Sequence, residues 1–397
     1  MSGAVSNDSL KTLLPGRVAG TPSIVQIEYD TAIQAVDELI HPPDVDQFVA
    51  PGFIDLQVNG FAGVDYNDPF ASHEAIAQSI RRIFMTGVTR FLPTVITGSE
   101  EYMIGALRNL TSTKEELGRN GMPESKAIEA FHVEGPHISP EDGPRGAHPV
   151  KHVRPPDIEE FKRWQDAAKG HVRLVTLSPE WEQAPSYVNE LVRSGVVVSI
   201  GHTKATCVQI MDAISAGATM STHLGNGAHS MLPKTENYIW DQLAADGLTP
   251  SFIADGIHIP SAFLIAAIRA KGVERSVLVT DAVMPAMCDP GFYRLGQVEV
   301  ELRQDGRVVL RGGARLAGSS LRMDHAIGNA IRLGSVSLRE ALAMATINPA
   351  RAARIAGRQR GLSPGDKADF VRFRWDDRAR SLTVIETIAG GDSVYQA

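Results

Sequence analysis

Cysteine is nearly missing from this chain. Cys207 and Cys288 are the two in 397 residues and form no CxxC pair, so a disulfide framework or thiolate zinc knuckle is not expected. Two reduced thiols in a cytoplasmic protein is the reading that remains. A basic excess is missing as well: 39 Lys and Arg stand against 46 Asp and Glu, a formal net charge of -7, with no basic block. That argues against nucleic acid as a partner, because phosphate contacts need clustered Lys and Arg. No apolar run approaches the roughly 20 residues that cross a bilayer. The opening MSGAVSNDSLKTLLPG has no basic segment leading into an apolar one, so neither a membrane span nor a signal peptide is expected. A glycine fingerprint after a first strand is also absent, which leaves an open dinucleotide-binding sheet without support.

What is present is an ordinary enzyme composition, 43% apolar and 21% charged, in a chain long enough for one large barrel or two domains. From about residue 51 to 349, strand patterns alternate with helical ones. The strands are expected at 53–58, 89–95, 128–134, 172–178, 196–201, 218–224, 251–255 and 276–281. A helical stripe such as Ile76, Ile80, Ile83 and Phe84 separates two of them, and Pro260 suits the first turn of another helix. Eight strands with intervening helices indicate an α/β fold, a TIM-like (β/α)8 barrel. Short β patterns at residues 1–50 and 350–397 predict a small β-sandwich domain built from both chain ends. Alternation around Asp305-Gly306 predicts a β-hairpin insertion near residues 292–312.

In a barrel the chemistry collects where the strands end. Glu134 closes AFHVE, His202 follows VVSIG, His223 follows MST and Asp281 follows LVT. One Glu and two His suit one divalent metal with an open position, Zn²⁺ first, with Fe²⁺ or another divalent ion fitting the same ligands. A metal there lowers the pKa of a water and polarises a carbonyl, and Asp281 is placed to move the proton. Each residue alone has a plainer role: a hydrogen-bonded His, a salt-bridged Glu, a capping Asp. Their joint occurrence after four apolar strands carries the argument. His148 in GAHP and His258 in DGIH can donate to a carbonyl or phosphate oxygen, or be ordinary loop histidines. Asn226 and Gly227 in HLGNGAH allow close backbone approach to a ligand. LAGSS, 316–320, reads as a tight loop over the mouth or as the cap of the following helix.

Taken in order, PGFIDLQVNG, HVEGPHISP, GAHP, SIGHT, STHLGN, ADGIH, LVTDA and LAGS resemble the N-acetylglucosamine-6-phosphate deacetylase family of the amidohydrolase superfamily. The resemblance implies metal ligands at Glu134, His202 and His223, a catalytic carboxylate at Asp281, and His148 at the amide carbonyl. It also implies substrate contacts at Asn226, Gly227 and His258, a small amino-sugar substrate and a homodimer. Relatives with His-x-His on the first strand hold a second metal; Gln57 and Asn59 stand there in this chain and imply a single one. Asp55 is read as structural. The family's phosphate-binding arginine has no counterpart between His223 and Arg269, and His229 or Lys234 are the nearest replacements. Tyr238 and Trp240 stack on a sugar or pack at a subunit interface. The implied reaction is hydrolysis of N-acetyl-D-glucosamine 6-phosphate. The alternative is a different amide, such as an unphosphorylated N-acetyl amino sugar or an N-acyl amino acid.

Overall fold

A computed structural model describes residues 10–397 apart from 42 and 297; residues 1–9, assigned above to the end domain, lie outside the described residues. Eight parallel strands follow one another around a ring: Phe53–Val58, Val88–Ile96, Phe131–Glu134, Val172–Leu177, Val197–Ile200, Met220–Ser221, Thr249–Phe252 and Val277–Leu278. A Val58 to Ala282 bridge closes the ring, supported by Asn59 N donating to Ala282 O at 2.7 Å and Asp281 N to Gln57 O at 3.0 Å. Helices lie between successive strands and bury one stripe each. On His73–Phe84 that stripe is Ile76, Ala77, Ile80, Ile83 and Phe84, and the Ser72 side chain caps the start by accepting from Ala75 N. The (β/α)8 expectation holds. Among the described residues no helix is long and apolar enough to cross a membrane.

The chain ends build a separate seven-stranded sheet. Phe48–Pro51 is its junction, parallel to Lys11–Val18 and antiparallel to Phe370–Asp376. Its own core includes Leu13, Ile27, Ile33 and Phe370. A buried ion cluster ties this sheet to the barrel. Arg90, on the second barrel strand, places Nε and Nη2 at 2.8 and 3.0 Å from the two Asp369 carboxylate oxygens, and Arg358 pairs with the same carboxylate. Burial pushes the Asp369 carboxyl up, but the charges of Arg358 and Arg90 outweigh it and hold the group far below the usual carboxylate range. A depressed folded-state pKa contributes stability that is complete above the unfolded value of about 3.9 and is lost as pH falls towards the folded value. Asp369→Ala leaves two buried guanidinium groups without their carboxylate, so it should cost about 3–5 kcal/mol. Thermal melting at pH 7 checks this; an unchanged midpoint would remove the cluster from any role in joining the two parts.

Following the eighth strand, the inserted element is larger than a hairpin. Gly291–Leu295, Val298–Leu302, Arg307–Leu310 and Leu316–Ser319 form a four-stranded antiparallel sheet. The LAGSS stretch is therefore a strand, which corrects the loop-or-cap reading. Its Ser319 bridges Ala282, and the next helix, Met323–Gly334, starts after Arg322 without a side-chain cap. A strand of four residues containing Gly318 shows too little alternation to announce itself in sequence.

Candidate active site

Three of the polar residues leave their strands in the same unusual way. His202, His223 and Asp281 have φ of 49°, 29° and 51°, a left-handed conformation that costs a non-glycine residue roughly 1–3 kcal/mol and persists only where the surroundings over-determine it. The turn lifts each side chain out of the ladder and over the barrel mouth. There Glu134, His202 and His223 present ligand atoms that all lie within 4.8 Å of one another, and all three residues are buried. His223 Nε2 is 2.9 Å, and His202 Nε2 3.3 Å, from the same Glu134 oxygen.

The donor set fits a divalent cation. His202 Nδ1 lies 2.8 Å from the Pro144 carbonyl, which only accepts, so Nδ1 carries a proton and Nε2 is the nitrogen turned to the Glu134 carboxylate. Two electron-rich groups at that distance need a cation or an extra proton between them. Burial raises the Glu134 pKa, but hydrogen bonds and charge from His202 and His223 overcome it and leave the carboxyl well below the usual value. Burial opposes charge on His223, yet Glu134 outweighs it and the ring titrates above an ordinary histidine.

Gln57 and Asn59 point into this centre as donors. Gln57 Nε2 donates to Glu134 Oε1 at 2.9 Å and to Asp281 Oδ1 at 3.1 Å; Asn59 Nδ2 donates to Asp281 Oδ1 at 2.6 Å. Carboxylates only accept, so the NH₂ ends must face them, and an NH₂ cannot ligate a cation. Asp281 is pushed up to about 6, by burial first and the Glu134 charge second, with His223, His258 and Asn59 pulling the other way. Asp55 accepts from Thr280 Oγ1 at 2.6 Å and from the Thr280 and Gln57 amides at 3.2 Å. It locks the first strand to the eighth beneath the site.

A cavity of about 1010 Å³ opens over this cluster. His148 enters it buried, with Nδ1 2.9 Å from Thr97 Oγ1 and Nε2 3.9 Å from Glu134 Oε2. Burial, then the His202 charge, push His148 down to about 3, so its ring is neutral near pH 7. Asn226, Gly227, His229 and His258 also line the cavity. His258 Nδ1 is held by Asp255 at 2.6 Å, and His229 Nε2 lies 2.9 Å from Glu141 Oε1. At Gly227, φ is 56° and a Cβ would come 2.6 Å from His202 Nδ1, so this loop must be glycine to lie on the ring. Lys234 is exposed and does not line the cavity of its own subunit. Tyr238 is buried and meets His229 through its hydroxyl at 3.0 Å, while Trp240 is 55% exposed.

Sequence reasoning missed Thr97, the Pro144 carbonyl and Arg315. Arg315, on the insert, donates to the Gly146 carbonyl at 3.1 Å and pairs with Asp142 at 2.8 Å, fastening the loop that carries His148. Their partners lie 51, 58 and 169 residues away along the chain, beyond the reach of any local pattern.

The model of the amidohydrolase family matches residues 48–394. The chain is 32% identical over 350 residues to an N-acetylglucosamine-6-phosphate deacetylase from Lysinibacillus sphaericus, covering 86% of this chain and 87% of that one. It is 36% identical over 364 residues to the deacetylase of the same name from Bos taurus, covering 88% and 83%. Among solved structures, a mutant N-acetyl-D-glucosamine-6-phosphate deacetylase from Mycobacterium smegmatis, in complex with N-acetyl-D-glucosamine 6-phosphate, matches with a TM-score of 0.85. That pair is 28% identical and covers 98% of this chain and all of that one.

Proposed function

This chain belongs to the amidohydrolase family, and on that footing we propose that it hydrolyses N-acetyl-D-glucosamine 6-phosphate to D-glucosamine 6-phosphate and acetate. One observation carries the reading: Glu134, His202 and His223 converge at one point, and Asp281 is joined to that cluster through Gln57. We assign the three as ligands of one divalent ion, Zn²⁺ by first choice. When bound, such an ion supplies Lewis acidity, lowering a water's pKa and polarising a carbonyl.

The chain's own residues do the rest. Asp281 accepts a proton from the attacking water; an aspartate poised near 6 then returns it to the departing nitrogen as the C–N bond breaks. Gln57 Nε2 and Asn59 Nδ2 donate to Asp281 Oδ1 and favour the base form needed first. Thr97 Oγ1 lies 2.9 Å from His148 Nδ1, and in the tautomer where the hydroxyl donates the ring proton sits on Nε2, where it can stabilise the developing oxyanion. Asn226, His258 and His229 offer hydrogen bonds to the sugar and its phosphate, and Gly227 lets the loop lie close.

A second reading, an amide without phosphate, has an observation in its favour: no arginine lies between His223 and Arg269, and Lys234 leaves its own cavity. In a homodimer, the exposed Lys234 would be available to the neighbouring subunit and Trp240 would be covered. We infer a cytoplasmic enzyme from the two cysteines, both free thiols. Acetate release from N-acetylglucosamine with and without the 6-phosphate tests the choice. The deacetylase reading expects kcat/KM at least 100-fold higher with the phosphate; equal values would favour the second reading.

A further inference from the structure

The cavity is at the upper end of the ~300–1,000 Å³ range of pockets that take drug-sized ligands, and its lining mixes two kinds of chemistry. Asn226, His229 and His258 bring hydrogen-bonding groups to the lining, and the inserted sheet brings apolar ones. Side chains alternate along a strand, so Val298, Val300 and Leu302 share one face, and register places Leu295 opposite Val298 and Leu310 opposite Val300. The deeper half of that face, with Val300, Leu302 and Val308, closes on Val283. Leu295, Val298, Leu310 and Leu316 stay half-buried and line the cavity.

This apolar wall starts beside the reacting centre. Ser319 N donates to the Asp281 carbonyl and Val283 N to the Ser319 carbonyl, both at 3.0 Å. The turn of the first two insert strands is held by Gly296 N donating to Asp65 Oδ2 at 2.7 Å. The two substituents of a trans amide point in opposite directions. For an amide whose sugar is placed among the polar groups, the insert is the apolar lining open to the acyl chain.

Resting on the deacetylase reading, we propose that the site accepts N-acyl groups several carbons longer than acetyl, with the chain laid along Leu295, Val298, Leu310 and Leu316. The reaction is the same hydrolysis: water adds to the acyl carbon, the C–N bond breaks, and a longer carboxylate and the amine are released. Each methylene buried there is worth about 0.8 kcal/mol, roughly fourfold in binding.

The test is a series of N-acetyl, N-butanoyl and N-hexanoyl glucosamine 6-phosphates, assayed as amine release by the metal-loaded full chain. The expected result is kcat/KM for the butanoyl and hexanoyl compounds within tenfold of, or above, that for acetyl. A drop of more than tenfold with acetyl still turned over would overturn this proposal and leave the deacetylase reading standing. Failure of all three compounds would overturn that reading and this one with it. Val298→Trp, which fills the wall, should lower the hexanoyl-to-acetyl ratio at least tenfold; an unchanged ratio would place the chain elsewhere and overturn the proposal.

Discussion

Asp281→Asn should lower kcat by about 10²- to 10⁴-fold, the range supplied by a positioned general acid–base group, while the protein still binds one metal ion per chain. The two measurements separate proton transfer from assembly of the site. Asn matches Asp in shape, and its carbonyl oxygen can still accept from Asn59 Nδ2 and Gln57 Nε2, which reach Asp281 at 2.6 and 3.1 Å. What it cannot do is take the water's proton. Steady-state kinetics beside elemental analysis checks this. Turnover near that of the unsubstituted protein would remove Asp281 from the chemistry, and loss of metal would make it a ligand.

Glu134→Gln has an expected effect at least as large on the metal itself. Outer-shell partners of a metal ligand typically alter affinity about 10- to 100-fold, so neutralising the one anionic member of the Glu134, His202 and His223 set should weaken binding by more than ~100-fold. The change also removes the carboxylate that Gln57 Nε2 and His223 Nε2 contact at 2.9 Å. Equilibrium dialysis against a chelator reads the affinity. Retention of metal at the original affinity would mean that Glu134 is not among its ligands.

Much of this site was legible because burial makes polar residues conspicuous. Glu134, His202, His223 and Asp281 each end an apolar run, and an ionisable group there is costly unless partnered, so function was the economical explanation. Gln57 and Asn59 stood out for the same reason, and their roles as donors follow from the carboxylates they meet. The barrel strands were legible where buried alternation is sustained, as in Phe53–Val58, and overdrawn where the ladder is short. The sixth and eighth strands are only Met220–Ser221 and Val277–Leu278, because the chain turns out of the sheet to aim His223 and Asp281.

Contacts between distant segments were not legible. The Pro144 carbonyl that orients His202 is a backbone group with no residue signature. Arg315 looks like any exposed arginine until folding sets it beside Asp142. Nor does a single sequence show which way the proline-containing loop turns Lys234, which is exposed.

Anomalous diffraction from crystals of the metal-loaded protein tests the central claim most directly. The account predicts one peak per chain, about 2.0–2.2 Å from a Glu134 oxygen and from nitrogens of His202 and His223, with Gln57 and Asn59 outside its ligand sphere. A second ion, or a single ion held mainly by Gln57 and Asn59, would contradict it.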